Sequence, residues 1–315
     1  MLAIVVGLVG VGAAPAADDR PVEVISAKKI KSLEWLWSLH STMTFSPDGA
    51  HFLLGEARPD GYVHLCAYET ATLTRVKCLV RLYKSTESHH GPLDWSDDRL
   101  FIQAGGFDGA FIGWVNIQSW QEPTFKEIDG LKQMRFVKGK AGMNPAWDRK
   151  EGGLYYRGVG EFAAMYFEKD GVQTKPFKFG EVAIAGDKYI WYTEIGEHTA
   201  ALRYLDRATK KTDILSKGDS FGVHALTASL HDHVLFVRTE YSKNPNPRVY
   251  AYIEKRGIWG PVYGPASDGE IKFIRISPNG DRALVSVHDE KHSKPGRNRH
   301  HIYLLELRWA QSEAK

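Results

Sequence analysis

The chain has 315 residues, enough for one large β domain or two ordinary ones. Its 41 Lys and Arg against 38 Asp and Glu leave a net charge of +3, too balanced to argue for a nucleic-acid partner. A composition 43% hydrophobic and 25% charged is ordinary for a soluble globular protein, and 12% aromatic residues suit strands better than helices.

The N-terminus differs from the rest. Residues 2–11 are apolar or glycine, Ala14-Pro15-Ala16 supplies small residues around a cleavage point, and Asp18-Asp19-Arg20 begins the polar chain. The run is too short to span a bilayer, so residues 1–17 are expected to be a signal peptide and 18–315 a single domain with no transmembrane segment, periplasmic or secreted. The departure from the usual pattern is that no Lys or Arg precedes the apolar run. The two cysteines, Cys66 and Cys78, fall in one expected hairpin on either side of a turn near residues 70–72. An exported chain permits a disulfide there; two buried thiols are the other reading.

A phrase then occurs twice. Phe45-Ser46-Pro47-Asp48-Gly49 precedes Phe52-Leu53-Leu54, and Ile276-Ser277-Pro278-Asn279-Gly280 precedes Ala283-Leu284-Val285. Each reads as strand, tight turn, strand: proline presets φ, and Asp-Gly or Asn-Gly tolerates positive φ. Weaker copies lie between them, at Pro92 to Asp98, Asn144 to Asp148, Val182 to Asp187 and Leu226 to Asp232, each followed by a β-branched and aromatic strand. A third strand follows every copy (62–68, 111–117, 163–167, 202–205, 249–253, 302–307), and weaker fourth strands appear at 73–82 and 212–215. The step of roughly 40 to 50 residues is the period of a four-stranded propeller blade. Six copies give an all-β, six-bladed β-propeller, with seven blades as the alternative. The last copy lacks a fourth strand, which residues 21–25 can supply, closing the ring and removing a free sheet edge. Residues 130–142, carrying Lys132, Arg135, Lys138 and Lys140, read as a basic surface loop.

The strand–Ser-Pro-Asp-Gly–strand phrase, with a following strand such as His301-Ile302-Tyr303-Leu304-Leu305-Glu306-Leu307, resembles the repeat of the TolB-like six-bladed β-propellers and their WD-like relatives over most of residues 40–309. The resemblance implies an exported propeller that works by binding partners. It makes no statement about activity, because the phrase is structural. The chain differs from TolB in showing no α/β segment before the first copy, so TolB's envelope role is not carried over.

Propellers bind ligands at the channel mouth, where the innermost strands begin. His40 and His90 stand six residues before Ser46 and Ser96 and share a register, with His89 adjacent. His224, Glu181, Asn144, and Glu270 with Lys272 stand near the corresponding places in the other copies. The expected ligand-binding set is His40, His90, Asn144, Glu181, His224 and Lys272. Its imidazoles (His40, His90, His224) can take a divalent metal, and the whole mixture can take an anionic sugar. Thirteen histidines place some near any point of a β-rich chain, so structural roles are the plainer reading. No cofactor is expected beyond such a metal.

His231 and His233 read as surface turn residues, and Lys291 to His301 as a basic, turn-rich insert. No phosphate-binding glycine loop, Gly-x-Ser-x-Gly elbow or haem-spaced cysteine pair occurs. The leading expectation is therefore a non-enzymatic propeller that binds an envelope protein or an anionic glycan at the mouth. The alternative is a uronate lyase on the same scaffold, similar to propeller lyases, with His89, His90, Tyr156 and Arg157 as candidate catalytic residues and Arg135 serving acidic sugars.

Overall fold

The structure, a computed structural model, describes residues 20–35, 42–84, 90–104, 111–136, 142–158, 164–177, 183–195, 200–216, 221–240, 244–254, 257–265, 269–293 and 298–310. The expected signal peptide lies outside them. Six sheets, antiparallel apart from one added strand in the first, follow one another along the chain and form the blades of a ring, settling six blades against seven. Their innermost strands are Met43–Phe45, His90–Trp95, Gly142–Asp148, Ala183–Ala185, Phe221–Ala228 and Glu270–Ile276. Among the described residues no helix is long and apolar enough to cross a membrane.

The repeated phrase builds the turn between the first two strands of a blade. Ser46 is the anchor in blade one: its hydroxyl accepts the His51 N–H at 2.9 Å and its own N–H donates to the His51 carbonyl at 2.8 Å. Asp48 accepts from the Ser46 hydroxyl and from the Ala50 N–H, and Gly49 takes φ of 70°, where a side chain is strained. Ser277 repeats this with the Arg282 N–H at 3.1 Å, and Gly280 takes φ of 82°. Ser96 and Ser229 hold the equivalent bonds to Arg99 and His233, so the serine recurs where proline and glycine do not. In blade three Asp148 takes its place, accepting from the Lys150 and Glu151 N–H groups.

Neighbouring turns are laced together around this end of the ring. Leu230 N–H donates to the Pro278 carbonyl, Asp187 N–H to the Leu230 carbonyl, and Lys150 Nζ to the Asp187 carbonyl. Arg149 reaches the Pro47 and Trp95 carbonyls of blades one and two. Buried Arg207 of blade four lies 2.9 Å from fully buried Asp148 of blade three. At this end of the ring lies a cavity of about 70 Å³ lined by residues of all six innermost strands or the turns after them. Arg275, buried, donates to the Leu93 carbonyl across it at 2.5 Å.

Blade six closes the ring, and by more chain than expected. The N-terminal strand runs over Val22–Trp35 rather than residues 21–25 and pairs with Asn298–Trp309 along its whole length. Register shifts near Ser26 and Lys31 keep Leu33 inward while Lys28 and Lys29 face water and Lys31 reaches buried Glu56 at 2.8 Å, a pattern whose broken alternation hides the strand in the sequence. The same pairing corrects the reading of Lys291 to His301. Asn298 to His301 open the third strand of blade six, His300 is buried, and Glu290–His292 is one turn of 3₁₀ helix.

Of the expected basic loop 130–142, residues 137–141, with Lys138 and Lys140, lie outside the described residues, and residues 130–136 are regular structure. Ile128–Asp129 adds a fifth, parallel strand to blade one, Gly130–Gln133 is a helical turn, and Arg135–Phe136 is the outermost strand of blade two. Cys66 and Cys78 face each other on adjacent strands of blade one and are joined in a disulfide.

Candidate functional site

The strands of blade six bring ionisable side chains together at the mouth end. Glu270 opens the innermost strand and pairs with His288, the last residue of the second strand (Arg282–His288); His288 pairs in turn with His300. Cross-strand partners share a sheet face, so the row continues from one strand to the next. A register shift between Ile271 and Phe273 leaves Lys272 unpaired in the ladder, and its ammonium lies 2.5 Å from Glu270 Oε2. The 3₁₀ turn then carries Glu290 back over the strand ends. One ligand atom each from Glu270, His288 and Glu290 lies within 4.8 Å of the others.

A second layer fixes this row. Ser293 Oγ donates to the Asp289 carbonyl at 2.7 Å, accepts the Arg299 N–H at 3.0 Å and lies 3.1 Å from His288 Nε2. Asp289 Oδ2 faces His292 Nδ1 at 2.8 Å and His301 Nε2 at 3.0 Å, and His301 Nδ1 reaches Ser32 Oγ on the N-terminal strand at 3.0 Å. Burial pushes the Asp289 carboxyl up, but its bonds and charge contact with His292 outweigh burial and hold it below the ordinary value. Burial and the Lys29 charge push the His301 imidazole down against the pull of Asp289. His288 stacks on His300 with ring centroids 5.0 Å apart. The arrangement is a pair of carboxylates with an imidazole and an ammonium, held by the Ser293 and Asp289 bonds behind them.

Of the residues expected at the mouth, His40, His89 and Glu181 lie outside the described residues. His90 opens the innermost strand of blade two, opposite Ala104, and His224 sits at a register shift in blade five; their side chains are not described. Asn144 takes φ of 54° at an irregularity in the innermost strand of blade three, its N–H donating to Gln103 Oε1 of blade two. Lys272 is at the rim, with Glu270. Tyr156 is buried in an apolar cluster with Phe101, Ile112 and Leu154, its hydroxyl held by Gln173 and Glu168. Arg157 follows it on the second strand of blade three. Arg135 lies on the outer edge of blade two over the Trp114 ring, 5.2 Å from its centroid. His231 is an exposed turn residue as expected, but His233 stacks half-buried on Trp309 at 4.3 Å.

His288 and Glu290 were not singled out in the sequence. A hairpin count from the Ser277 turn points to this region, but the register shift at Lys272 decides that His288 and not Asp289 stands opposite Glu270.

No family model matches the sequence, and no curated protein matches it. Solved structures do match the fold. A structure assigned as TolB, from Agrobacterium tumefaciens, aligns over 90% of this chain and 96% of its own at 13% identity and a TM-score of 0.58. The fold is that of the TolB-like six-bladed β-propellers. A PQQ-bound aldose sugar dehydrogenase from Streptomyces coelicolor aligns over 90% of this chain and 98% of its own at 11% identity and a TM-score of 0.52. A prolyl endopeptidase structure matches at 13% identity and a TM-score of 0.49 over 76% of this chain, which spans only 38% of that protein's length. At these identities the likeness extends to the fold and not to an activity.

Proposed function

We propose that this TolB-like propeller is an exported, non-enzymatic binding protein whose binding surface is the mouth-end rim of blade six. The observation that carries the reading is the gathering of Glu270, Lys272, His288 and Glu290 at that rim. Concentrated, partly exposed charge on a rigid scaffold suits recognition of a polar partner, here an envelope protein or an anionic glycan. Export draws support from the Cys66–Cys78 disulfide, which persists in oxidising compartments. The lyase alternative draws none from Tyr156, whose hydroxyl is spoken for within the blade.

The test is a comparison of capture by two faces. Full-length protein is incubated with envelope extract and with uronate polymers, alongside Glu290→Lys at the rim and Asp48→Asn at the turn end. Loss of capture or of ligand-induced melting shift in Glu290→Lys alone is expected. Equal loss in both variants, or release of unsaturated uronate ends by the wild type, overturns the reading.

A further inference from the structure

We propose that Glu270, His288 and Glu290 form a site for a first-row divalent cation of the Mn2+ or Zn2+ kind, in which Lys272 now holds the cation's place. The proposal rests on the reading of this rim as the binding surface and names what binds there first.

The hydrogen bonds around Ser293 set the imidazole for this task. A hydroxyl has one proton, and that of Ser293 goes to the Asp289 carbonyl. Toward His288 the oxygen therefore accepts, which places the imidazole proton on Nε2 and the lone pair on Nδ1. Nδ1 is buried and has no hydrogen-bond partner among the described residues. An imidazole with one nitrogen donating to an orienting oxygen and the other presenting its lone pair is the arrangement that metal-binding histidines use. One imidazole nitrogen of His288 and one carboxylate oxygen each of Glu270 and Glu290 lie within 4.8 Å of one another, which makes three ligand atoms.

The donor set selects the metal class. One imidazole nitrogen with two carboxylates suits Zn2+ or Mn2+, whereas Ca2+ takes six to eight oxygens. Three protein ligands leave coordination positions for water or for a carboxylate of an arriving ligand. Lys272 supplies the remaining evidence. Its ammonium sits on Glu270 Oε2, the carboxylate a dication needs. An ammonium and a dication compete for that oxygen, so the lysine weakens metal binding while keeping the carboxylates in place without metal.

The experiment is a Mn2+ titration of chelator-treated full-length protein followed by electron paramagnetic resonance, repeated with Zn2+ by calorimetry and with Ca2+ as the contrast. One equivalent of Mn2+ or Zn2+ is expected, bound more tightly than Ca2+. His288→Gln and Glu270→Gln are expected to weaken it by about 100-fold, and Ser293→Ala, a positioning residue, by about 10- to 100-fold. Lys272→Met is expected to tighten it by roughly two- to fivefold, the size of an exposed ion pair. Glu290→Gln, on an exposed turn, serves if the strand variants fail to fold, and its expected effect is also a loss. Absence of stoichiometric binding, binding unchanged in Glu290→Gln, or weaker binding in Lys272→Met overturns the site. Metal binding without capture of any partner would sink the function reading and leave the site standing; capture lost in Glu290→Lys, with no stoichiometric metal binding by the wild type, would do the reverse.

Discussion

At one end of blade six, Ser277 and Asp281 turn the chain back with the serine hydroxyl 2.8 Å from the aspartate and the Arg282 N–H on the serine oxygen. At the other end the same two strands carry Glu270 and His288, a carboxylate against an ammonium and an imidazole nitrogen without a hydrogen-bond partner among the described residues. The turn repeats around the ring, with a buried serine in four blades; the Glu270–His288–Glu290 group is confined to blade six among the described residues. Repetition marks what every blade needs in order to fold. The unrepeated cluster, held by its own second layer, marks what the fold does not require. Substitutions at the two ends should therefore separate stability from binding.

The largest stability effect is expected at the turn end, from Asp148→Ala. Asp148 is fully buried, caps the blade-three turn and faces Arg207 of blade four. Its Oδ2 meets Nη1 at 2.9 Å without an aligned hydrogen bond, so the contact is mainly Coulombic. Removing the carboxylate leaves the buried guanidinium with only half-exposed Glu151 at 3.8 Å and the Gly186 carbonyl, at a cost of about 3 kcal/mol in urea unfolding. A loss under ~1 kcal/mol would mean the turns are not what joins the blades. Ser277→Ala, which removes a buried hydroxyl that holds the Arg282 N–H, should cost about 1–2 kcal/mol by the same measurement.

This division also explains how far the sequence could be read. The turn end was legible because local chemistry makes it: serine, proline and Asp-Gly act within one turn, and six copies at one period give the propeller. The closing strand beyond Ile25 was not, because Lys28, Lys29 and Lys31 around two register shifts break the alternation that marks a strand. Glu270 and Lys272 were legible as mouth positions. Their partners were not, since His288 is brought to Glu270 only by cross-strand register, and Glu290 by a turn concealed in a basic stretch. The burial of Tyr156 was not legible for a related reason: strand position says which residue lies near an end, but not which face the neighbouring blade covers.

A smaller effect tests whether the turn end responds to pH as a structural region should. Burial, then the nearby His231, depresses the His233 imidazole to about 4 where it stacks on Trp309. In the unfolded chain histidine titrates near 6.5, so between those values the unfolded state binds the extra proton. Stability linked to His233 is complete above about 6.5 and is lost as pH falls toward 4. Melting temperature should drop across that interval in the wild type and drop less in His233→Phe. An identical slope in the two proteins would mean that His233 is not desolvated by Trp309.

The smallest stability effect is expected from Lys272→Met at the mouth end, and it is the sharpest test of the contrast. The ion pair with Glu270 is about one-third exposed on both sides, so its loss should change unfolding free energy by less than ~1 kcal/mol. A change that small in Asp148→Ala would contradict the account of the turn end; a change as large as that of Asp148→Ala in Lys272→Met would contradict the account of the rim. In that second case the lysine would be a structural counter-ion required for the blade to close, and the Glu270 carboxylate could not be given up to another cation. A nearly unchanged melt together with tighter Mn2+ binding has one physical origin: a carboxylate that the fold leaves available, guarded by a charge that a dication can displace.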